Sequence, residues 1–176
     1  LPYIGGTPLI TLEGKYIIPW GNYFDGYIQN IVEAPDLGVI CITSQSTDAT
    51  FIYIYTSTDS GNTWITTAFI PITIIPRSPG INLLWVPELG KLFAYTSSAV
   101  YTSLDGLVWT QQVDSTFQNT LGVYFSVFWC KELGLFTSGN AVSRDGIHTY
   151  ASSNINSLAP RLFYINSYSP KSGVFV

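Results

Sequence analysis

The sequence predicts an all-β fold assembled from repeated four-stranded antiparallel units, and three observations support this prediction. The chain of 176 residues is 47% hydrophobic and 15% aromatic, rich in Val, Ile, Thr, Tyr and Phe, and no window longer than about ten residues has a helical period. One turn motif recurs along the whole length, which is typical of a repeat architecture. A second turn motif recurs in a fixed phase with the first.

The first turn motif is clearest at residues 57–64, where Ser, Asp, Gly and Trp are spaced as S-x-D-x-G-x-x-W. A copy at 103–109 is one residue shorter, a copy at 143–150 has Thr149 in place of the Trp, and a copy at 11–17 keeps only Glu13 and Gly14. The acidic residues fall at 13, 59, 105 and 145, so the intervals are 46, 46 and 40 residues. This spacing indicates one turn of this kind per structural unit.

Each residue type in this motif has a physical reason to be in a tight turn. Ser and Asp side chains satisfy the backbone N–H groups, Gly supplies a positive φ, and the Trp begins the next strand pointing inward. We therefore assign a structural role to Ser57, Asp59, Gly61, Trp64, Ser103, Asp105, Gly106, Trp109, Ser143, Asp145 and Gly146.

The second turn motif separates two apolar runs in every unit, as a hairpin turn does. It reads PDLG at 35–38, PELG at 87–90, KELG at 131–134 and PKSG at 170–173. Two turns per period, alternating with two longer connections, give four antiparallel strands per unit. The predicted strands cover 28–34, 39–43, 50–56 and 64–70 in the first whole unit, and 82–86, 91–96, 99–102 and 108–113 in the second.

The units follow each other along the chain without a linker. Residues 27–80, 81–122 and 123–160 form three whole units, residues 1–26 supply the outer pair of strands (8–11 and 16–20) of a closing unit, and residues 161–176 supply its inner pair. The two ends would then pair into one composite unit, and closure would remove the exposed sheet edges.

The S-x-D-x-G-x-x-W pattern resembles the Asp-box, or BNR, repeat of β-propellers. The resemblance spans most of the chain and implies a propeller of about four blades, with one composite closing blade. The alternative is that the chain is a segment of a larger ring, completed by a second copy or by further chain. Sialidases, sorting receptors, photosystem assembly factors and phage tail proteins share this repeat, so it indicates a fold better than a function.

Composition and charge exclude several classes of partner and site. The net charge of −4 and the scattering of seven Lys and Arg residues argue against a nucleic-acid partner. No apolar run approaches the roughly 18–20 residues that cross a bilayer, so we expect no membrane insertion. The single histidine, His148, excludes a multi-histidine metal site, and we expect no metal and no cofactor. Cys41 and Cys130 are expected to be free, buried thiols.

The resemblance to sialidases raises the question of catalysis. That family uses three arginines, a Tyr nucleophile with a Glu partner, and an acid/base Asp, and this chain has three arginines: Arg77, Arg144 and Arg161. Arg144 lies within a tight turn, whereas the other two lie on connections that we expect at the opposite end of the units. The three therefore should not meet, and we expect no enzymatic activity.

Binding is expected at the end of the units away from the tight turns, because the longer and more variable connections gather there. Their aromatic, amide and charged side chains suit sugar rings or a protein interface. The candidate binding residues are Trp20, Asn22, Tyr23, Asp25, Arg77, Asp114, Gln118, Asn119, Asn154, Asn156 and Arg161.

The expected function follows from the resemblance, since short degenerate Asp boxes paired with PELG-type turns look most like propellers of phage tail and other virion proteins. We expect a non-enzymatic viral or surface protein, located on a virion or cell surface, that attaches to a host glycan (carbohydrate) or to a neighbouring structural protein. Self-association into a homo-oligomer is compatible with this role. The alternative is a lectin-like or sialidase/glycosidase-type fragment of a secreted bacterial protein.

Overall fold

The protein is all-β, as predicted, and the residues that the structure describes form three four-stranded antiparallel sheets and two separate hairpins. The computed structural model describes residues 8–12, 16–19, 26–48, 50–71, 81–96, 99–117, 127–138, 141–150, 168–169 and 174–175. In the first and last hairpins only the backbone is described. The N-terminal hairpin pairs β1 (Pro8–Leu12) with β2 (Tyr16–Pro19), where the sequence predicts two strands.

The first sheet has the order β3-β4-β5-β6 and the longest of the described strands. β3 (Tyr27–Ala34), β4 (Val39–Gln45), β5 (Phe51–Ser57) and β6 (Ile65–Pro71) agree with the predicted bounds to within two residues. Ala34 pairs with Val39 and Thr56 pairs with Ile65. Both tight turns therefore lie at the same end of this sheet, as the turn pattern predicts.

The second sheet consists of β7 (Asn82–Val86), β8 (Lys91–Tyr95), β9 (Val100–Ser103) and β10 (Thr110–Gln112) in sequential order. The third consists of β11 (Phe128–Cys130), β12 (Leu135–Ser138), β13 (Ala141–Ser143) and β14 (Thr149–Tyr150). The predicted strand 108–113 starts too early. Val108 still belongs to the turn, because its N–H donates to Asp105 Oδ1 at 2.9 Å.

The C-terminal hairpin pairs β15 (Tyr168–Ser169) with β16 (Val174–Phe175). Within the described residues this hairpin and the N-terminal one are two separate two-stranded sheets, and no strand ladder joins them. The composite unit, the unit boundaries and a closed ring of about four blades therefore stay predictions.

The PDLG and PELG turns are single turns of 3-10 helix that end in a left-handed glycine. Pro35–Leu37 and Pro87–Leu89 form the two turns. Gly38 has φ 66° and donates its N–H to Pro35 O at 3.0 Å, and Gly90, at φ 58°, makes the same bond to Pro87 O. Pro pre-sets the first helical φ, and Gly accepts the left-handed backbone without strain.

The second sheet packs between the other two. On one face Leu83, Leu92 and Ala94 join a buried cluster with Ala34 and Ile54 of the first sheet. On its other face, a second buried cluster brings in the third sheet; it contains Val86, Phe93, Tyr95, Val100, Phe117, Val127, Phe136 and Ala141. The period-2 alternation of strand side chains directs neighbouring residues of β8 into different cores.

The glycines of the Ser-Asp-Gly turns at 103–109 and 143–150 determine how closely neighbouring sheets approach, as well as the shape of the turn itself. A Cβ atom at Gly106 would lie 3.1 Å from Val39 Cγ2 and 3.3 Å from Cys41 Sγ, both in the first sheet. A Cβ atom at Gly146 would lie 2.6 Å from Tyr95 Oη in the second sheet. Each of these turns therefore lies directly against the preceding sheet, a contact that sequence reasoning did not foresee.

Candidate functional site

In each of the three Ser-Asp-Gly turns, at 57–64, 103–109 and 143–150, the aspartate carboxylate accepts hydrogen bonds from residues of the same turn. Ser57 Oγ donates to Asp59 Oδ1 at 2.8 Å and accepts the N–H of Gly61 at 2.8 Å, while Asp59 Oδ1 also accepts the N–H of Thr63 at 2.8 Å. The second and third turns repeat this pattern; the residues involved are Ser103, Asp105, Gly106, Leu107 and Val108, and Ser143, Asp145, Gly146, Ile147 and His148.

These hydrogen bonds stabilise the charged form of each aspartate. Bonds from the side chain and N–H of Thr63 and from Ser57 lower the pKa of Asp59 to about 2. Burial raises the pKa of Asp145, but the bonds from His148, Ile147 and Ser143 outweigh it and lower that pKa to about 2. An ionised carboxylate that accepts several hydrogen bonds is a poor proton donor at neutral pH.

His148 and Ser143 do not form a catalytic pair, although both touch Asp145. His148 Nδ1 lies 2.6 Å from Asp145 Oδ2, whereas the buried Ser143 Oγ donates to Asp145 Oδ1 and accepts the N–H of Gly146. The serine and the histidine are thus bonded to different oxygens of one carboxylate. Nucleophilic catalysis needs the base bonded to the nucleophile itself, and this arrangement does not provide that.

The arginine of the third turn is engaged locally, because the Arg144 guanidinium carbon lies 4.9 Å from the ring centroid of Tyr150. The other two arginines, Arg77 and Arg161, lie outside the described residues. Among the residues that the structure describes, no three His, Cys, Asp or Glu side chains come together as a metal site. Nor is there, in that part of the chain, a helix long and apolar enough to cross a membrane.

Both cysteines are buried and free, as predicted. Burial raises the pKa of Cys41 to about 11, although its contact with Thr56 Oγ1 acts in the opposite direction. Cys41 lies in the core between the first two sheets. A thiol with a raised pKa and no access to solvent is chemically inert and packs as a small hydrophobe.

Of the candidate binding residues, the structure describes Asp114, which is exposed. The segment that follows it does not stay at the end away from the tight turns, because residues 115–117 reach the third Ser-Asp-Gly turn. Ser115 Oγ and the N–H of Phe117 both donate to Ile147 O in the third tight turn, at 3.1 and 2.9 Å. Burial of the Phe117 ring in the core of the second and third sheets draws the segment there. The remaining candidates lie outside the described residues: Trp20, Asn22, Tyr23, Asp25, Arg77, Gln118, Asn119, Asn154, Asn156 and Arg161.

An aromatic cluster that the sequence-based list omits lies at the loop end of the first sheet. Phe51 and Phe69 stack with ring centroids 4.2 Å apart, and Tyr53 meets Phe69 edge-on at 5.2 Å. Phe69 is 55% exposed, while Phe51 and Tyr53 are half-buried. Phe51 pairs with Pro71, at the opposite end of β5 from the turn that follows Ser57. We call these three side chains the aromatic cluster.

Strand register explains why these rings come together. Ile28 pairs with Ser44, Ser44 with Tyr53, and Tyr53 with Phe69, so their side chains form one row across a single face of the sheet. Ile28 is also exposed. The row lies on the face away from the second sheet; its two ends, Ile28 and Phe69, are exposed, whereas Ser44 is fully buried.

A charged loop adjoins the aromatic cluster. Asp48 Oδ1 accepts hydrogen bonds from Ser46 Oγ at 2.6 Å and from the N–H and Oγ1 of Thr50 at 3.0 and 2.6 Å, and Phe51 follows immediately in the chain. The bonds from Ser46 and Thr50 lower the pKa of Asp48 to about 2. An ionised carboxylate therefore lies in the loop that leads into Phe51, at this end of the sheet.

The alternation in β5 is the sequence signal from which the aromatic cluster could have been found. Ile52 and Ile54 are buried in the core shared with the second sheet, while Phe51 and Tyr53 lie on the other face. The sequence predicts this strand to be covered on both faces. On the second face Tyr55 is buried, whereas Phe51 and Tyr53, nearer the loop end, are half-buried.

Comparison with known proteins identifies no similar protein or family. No protein-family model, no curated protein and no solved structure matches this chain.

Proposed function

We propose that the protein is a non-enzymatic structural or attachment protein of a virion or cell surface, and that its loop end binds a host glycan or a neighbouring structural protein. The observation that carries this proposal is the aromatic cluster of Phe51, Tyr53 and Phe69, with the carboxylate of Asp48 in the loop that precedes Phe51. Ring faces stack on the apolar faces of sugars, and carboxylates accept hydrogen bonds from sugar hydroxyls.

We further propose that the three sheets are blades of an Asp-box propeller. Three features support this assignment. The strands of each sheet follow the same order. One turn of each sheet contains the same hydrogen bond from its serine to its aspartate, and the second and third sheets each contact the preceding sheet through the glycine of this turn. A radial arrangement of such sheets gives one end fixed by turns and another end free for binding.

The absence of enzymatic activity is part of the proposal. The tight-turn aspartates are held as hydrogen-bonded carboxylates, and the histidine is bonded to one of them. Catalysis by acid and base groups needs one group with a pKa near neutrality and a free path to substrate. The turn carboxylates of Asp59 and Asp145 do not meet that requirement.

Binding to a glycan array and to host cells tests the proposal. Phe69→Ala and Tyr53→Ala should each weaken binding by about 1–3 kcal/mol, roughly 5- to 150-fold, because a stacked aromatic contact is lost. Leu104→Ala is the matched control: it removes an exposed apolar side chain (66% exposed) from a tight turn at the other end. Trp20→Ala and Tyr23→Ala test whether those loop residues belong to the same surface.

Three results would contradict the proposal. One is a blank array together with a partner docked on the tight-turn end in the native assembly. Another is an equal loss of binding in Leu104→Ala. The third is turnover of a glycoside substrate by the purified chain, which would make the protein an enzyme.

A further inference from the structure

The face of the third sheet that points away from the second sheet, which we call the far face, has the same construction as two faces that already contact a Ser-Asp-Gly turn. Phe136 packs towards the second sheet, so its neighbour Thr137 points to the far face. Strand register places one row of side chains across each of the three equivalent faces. The rows are Val32, Cys41, Thr56 and Ile65 in the first sheet, Leu84, Phe93, Thr102 and Thr110 in the second, and Phe128, Thr137, Val142 and Tyr150 in the third.

The second member of each row marks the place where the turn glycine of the following sheet docks. A Cβ atom at Gly106 would lie 3.3 Å from Cys41 Sγ, and one at Gly146 would lie 2.8 Å from Phe93 Cε1. Thr137 is the equivalent residue of the third sheet, since all three stand three positions after the glycine of their PDLG-type turn. A fourth turn glycine docked in the same way would therefore lie against Thr137.

Each described junction between a sheet and the next turn also contains a hydroxyl that donates to the carbonyl of the docked glycine. Thr56 Oγ1 donates to Gly106 O at 2.7 Å, and Tyr95 Oη donates to Gly146 O at 3.0 Å. On the far face of the third sheet, Thr137 Oγ1 is buried and has no hydrogen-bond partner among the described residues. Buried hydroxyls are normally paired, so this position calls for an acceptor of the same kind.

The N-terminal hairpin carries a turn motif that matches those of the two described junctions. Its sequence TLEG at 11–14 corresponds position by position to SLDG at 103–106, with Thr for Ser and Glu for Asp. Leu12 pairs with Tyr16, so the motif falls at the connection between β1 and β2. In the second and third sheets the motif likewise falls at the connection between two paired strands.

We propose that the far face of the third sheet binds the N-terminal turn of the same chain, with Gly14 against Thr137 and the Gly14 carbonyl accepting a hydrogen bond from Thr137 Oγ1. Burial favours the same chain as the source of this turn. In a single copy Thr137 is 0% exposed and Cys130, which lies on the same face, is 2% exposed. The inference rests on the proposed propeller and identifies the contact that closes it.

Replacement of the Thr137 hydroxyl by a methyl group tests the hydrogen bond. Thr137→Val should lower the melting temperature by about 2–6 °C, because a buried carbonyl loses its donor. Thr43→Val is the matched control: Thr43 Oγ1 is also buried without a partner among the described residues, but in its junction Thr56 already bonds the turn carbonyl. Its melting temperature should stay the same or rise. An unchanged or raised melting temperature in Thr137→Val would overturn the inference.

A disulfide between the two partners tests which segment occupies the face. The double variant Gly14→Cys and Thr137→Cys, oxidised and digested, should yield a linked peptide from a chain that keeps its single mass. Gly106→Cys is the positive control, because its Cβ atom would lie 3.3 Å from the Sγ of the native Cys41. Gly38→Cys combined with Thr137→Cys should give no link, since Gly38 belongs to a turn of the first sheet.

Two results of the cross-linking would also overturn the inference. One is the absence of a link between positions 14 and 137 where Gly106→Cys links to Cys41. The other is a link that forms only between two chains, which would assign the face to a second copy. The Thr137→Val comparison needs no change at Gly14, so it remains decisive if the double variant fails to fold. Glycan binding that is lost in Phe69→Ala, without a link at 14 and 137, would overturn this inference and leave the attachment role standing.

Discussion

The hydroxyl of Tyr95 donates a 3.0 Å hydrogen bond to the carbonyl oxygen of Gly146, which joins the second sheet to the tight turn of the third. In the first two turns the equivalent carbonyl accepts from the indole N–H of the turn's own tryptophan: Trp64 to Gly61 at 3.0 Å, and Trp109 to Gly106 at 3.2 Å. The third turn has Thr149 in place of that tryptophan. A tyrosine of the neighbouring sheet supplies the missing donor.

Removal of this hydroxyl should destabilise the fold measurably. Tyr95→Phe leaves the buried Gly146 carbonyl without its donor, and we expect the free energy of unfolding to fall by about 1–2 kcal/mol. Urea denaturation followed by tryptophan fluorescence measures the change. Tyr101→Phe, at a half-buried ring of the adjacent strand, is the control and should cost less. Equal losses of unfolding free energy in the two variants would show that the Tyr95 hydrogen bond contributes no more to stability than the hydroxyl of Tyr101.

Two glycine substitutions should distinguish the stability cost of left-handed backbone strain from the cost of a steric clash between sheets. Gly90 has φ 58° and open space around a hypothetical Cβ atom, so Gly90→Ala should cost only the left-handed strain, about 1–2 kcal/mol. Gly146→Ala combines φ 75° with a Cβ 2.6 Å from Tyr95 Oη, and overpacking should add about 1–3 kcal/mol. Thermal unfolding of both variants tests this order. If Gly146→Ala were no worse than Gly90→Ala, the contact between sheets would carry no strain.

A comparison of equivalent residues predicts a stabilising substitution. Trp129 Nε1 of the third sheet donates to Glu88 Oε2, in the PELG turn of the second, at 2.9 Å. Trp85 holds the equivalent place in the second sheet, but its buried Nε1 has no partner within the described residues. The equivalent turn of the first sheet carries Asp36, which is one methylene shorter than Glu. Asp36→Glu should supply the acceptor and raise stability by about 0.5–1.5 kcal/mol.

The controls for this substitution are Asp36→Ala, which should give no gain, and Glu88→Asp, which should lower the melting temperature by shortening the acceptor of Trp129. Calorimetry of the three variants measures the changes. An unchanged melting temperature in Asp36→Glu would mean that the two sheet junctions are not geometrically equivalent at this point.

Acid should destabilise the protein in a defined pH window. The pKa of Asp59 falls from an ordinary value of 3.8 to about 2 in the folded chain, because Thr63 and Ser57 bond its carboxylate. A depressed folded-state pKa means that the stabilisation is complete above the unfolded value and is lost as the pH falls through the folded value. The melting temperature should therefore drop between pH 3.8 and about 2.

Asp59→Asn provides the matched control for this effect, because it keeps a side-chain oxygen but cannot titrate. Its melting temperature should be lower at neutral pH, and its further loss in acid should be smaller than that of the unmodified chain. A variant with the same acid profile as the unmodified chain would rule out Asp59 as a contributor.

The positions of the strands could be predicted well from the sequence, because turn chemistry is local. The PELG turn at 87–90 and the Ser-Asp-Gly turn at 57–64 each contain the residues that make their turn hydrogen bonds. Once the turns are fixed, the strands between them are fixed to within one or two residues. The start of β10 was mistaken because Val108 lies in the turn, where its N–H bonds Asp105.

The contacts between sheets could not be predicted in this way. Tyr95 and Gly146 are 51 residues apart, and no local pattern states that one bonds to the other. The aromatic cluster could not be predicted for a related reason. Phe51 and Phe69 stack only because β5 and β6 pair in one register, which no local pattern states.

The links between successive sheets span a nearly constant length of chain, 50 residues from Thr56 to Gly106 and 51 from Tyr95 to Gly146. Each sheet therefore finds its docking surface on the sheet synthesised just before it. During translation the first sheet would emerge complete, and the turn of each later sheet would add to a template already in place. The order of assembly would follow the order of synthesis, from the N-terminus towards the C-terminus.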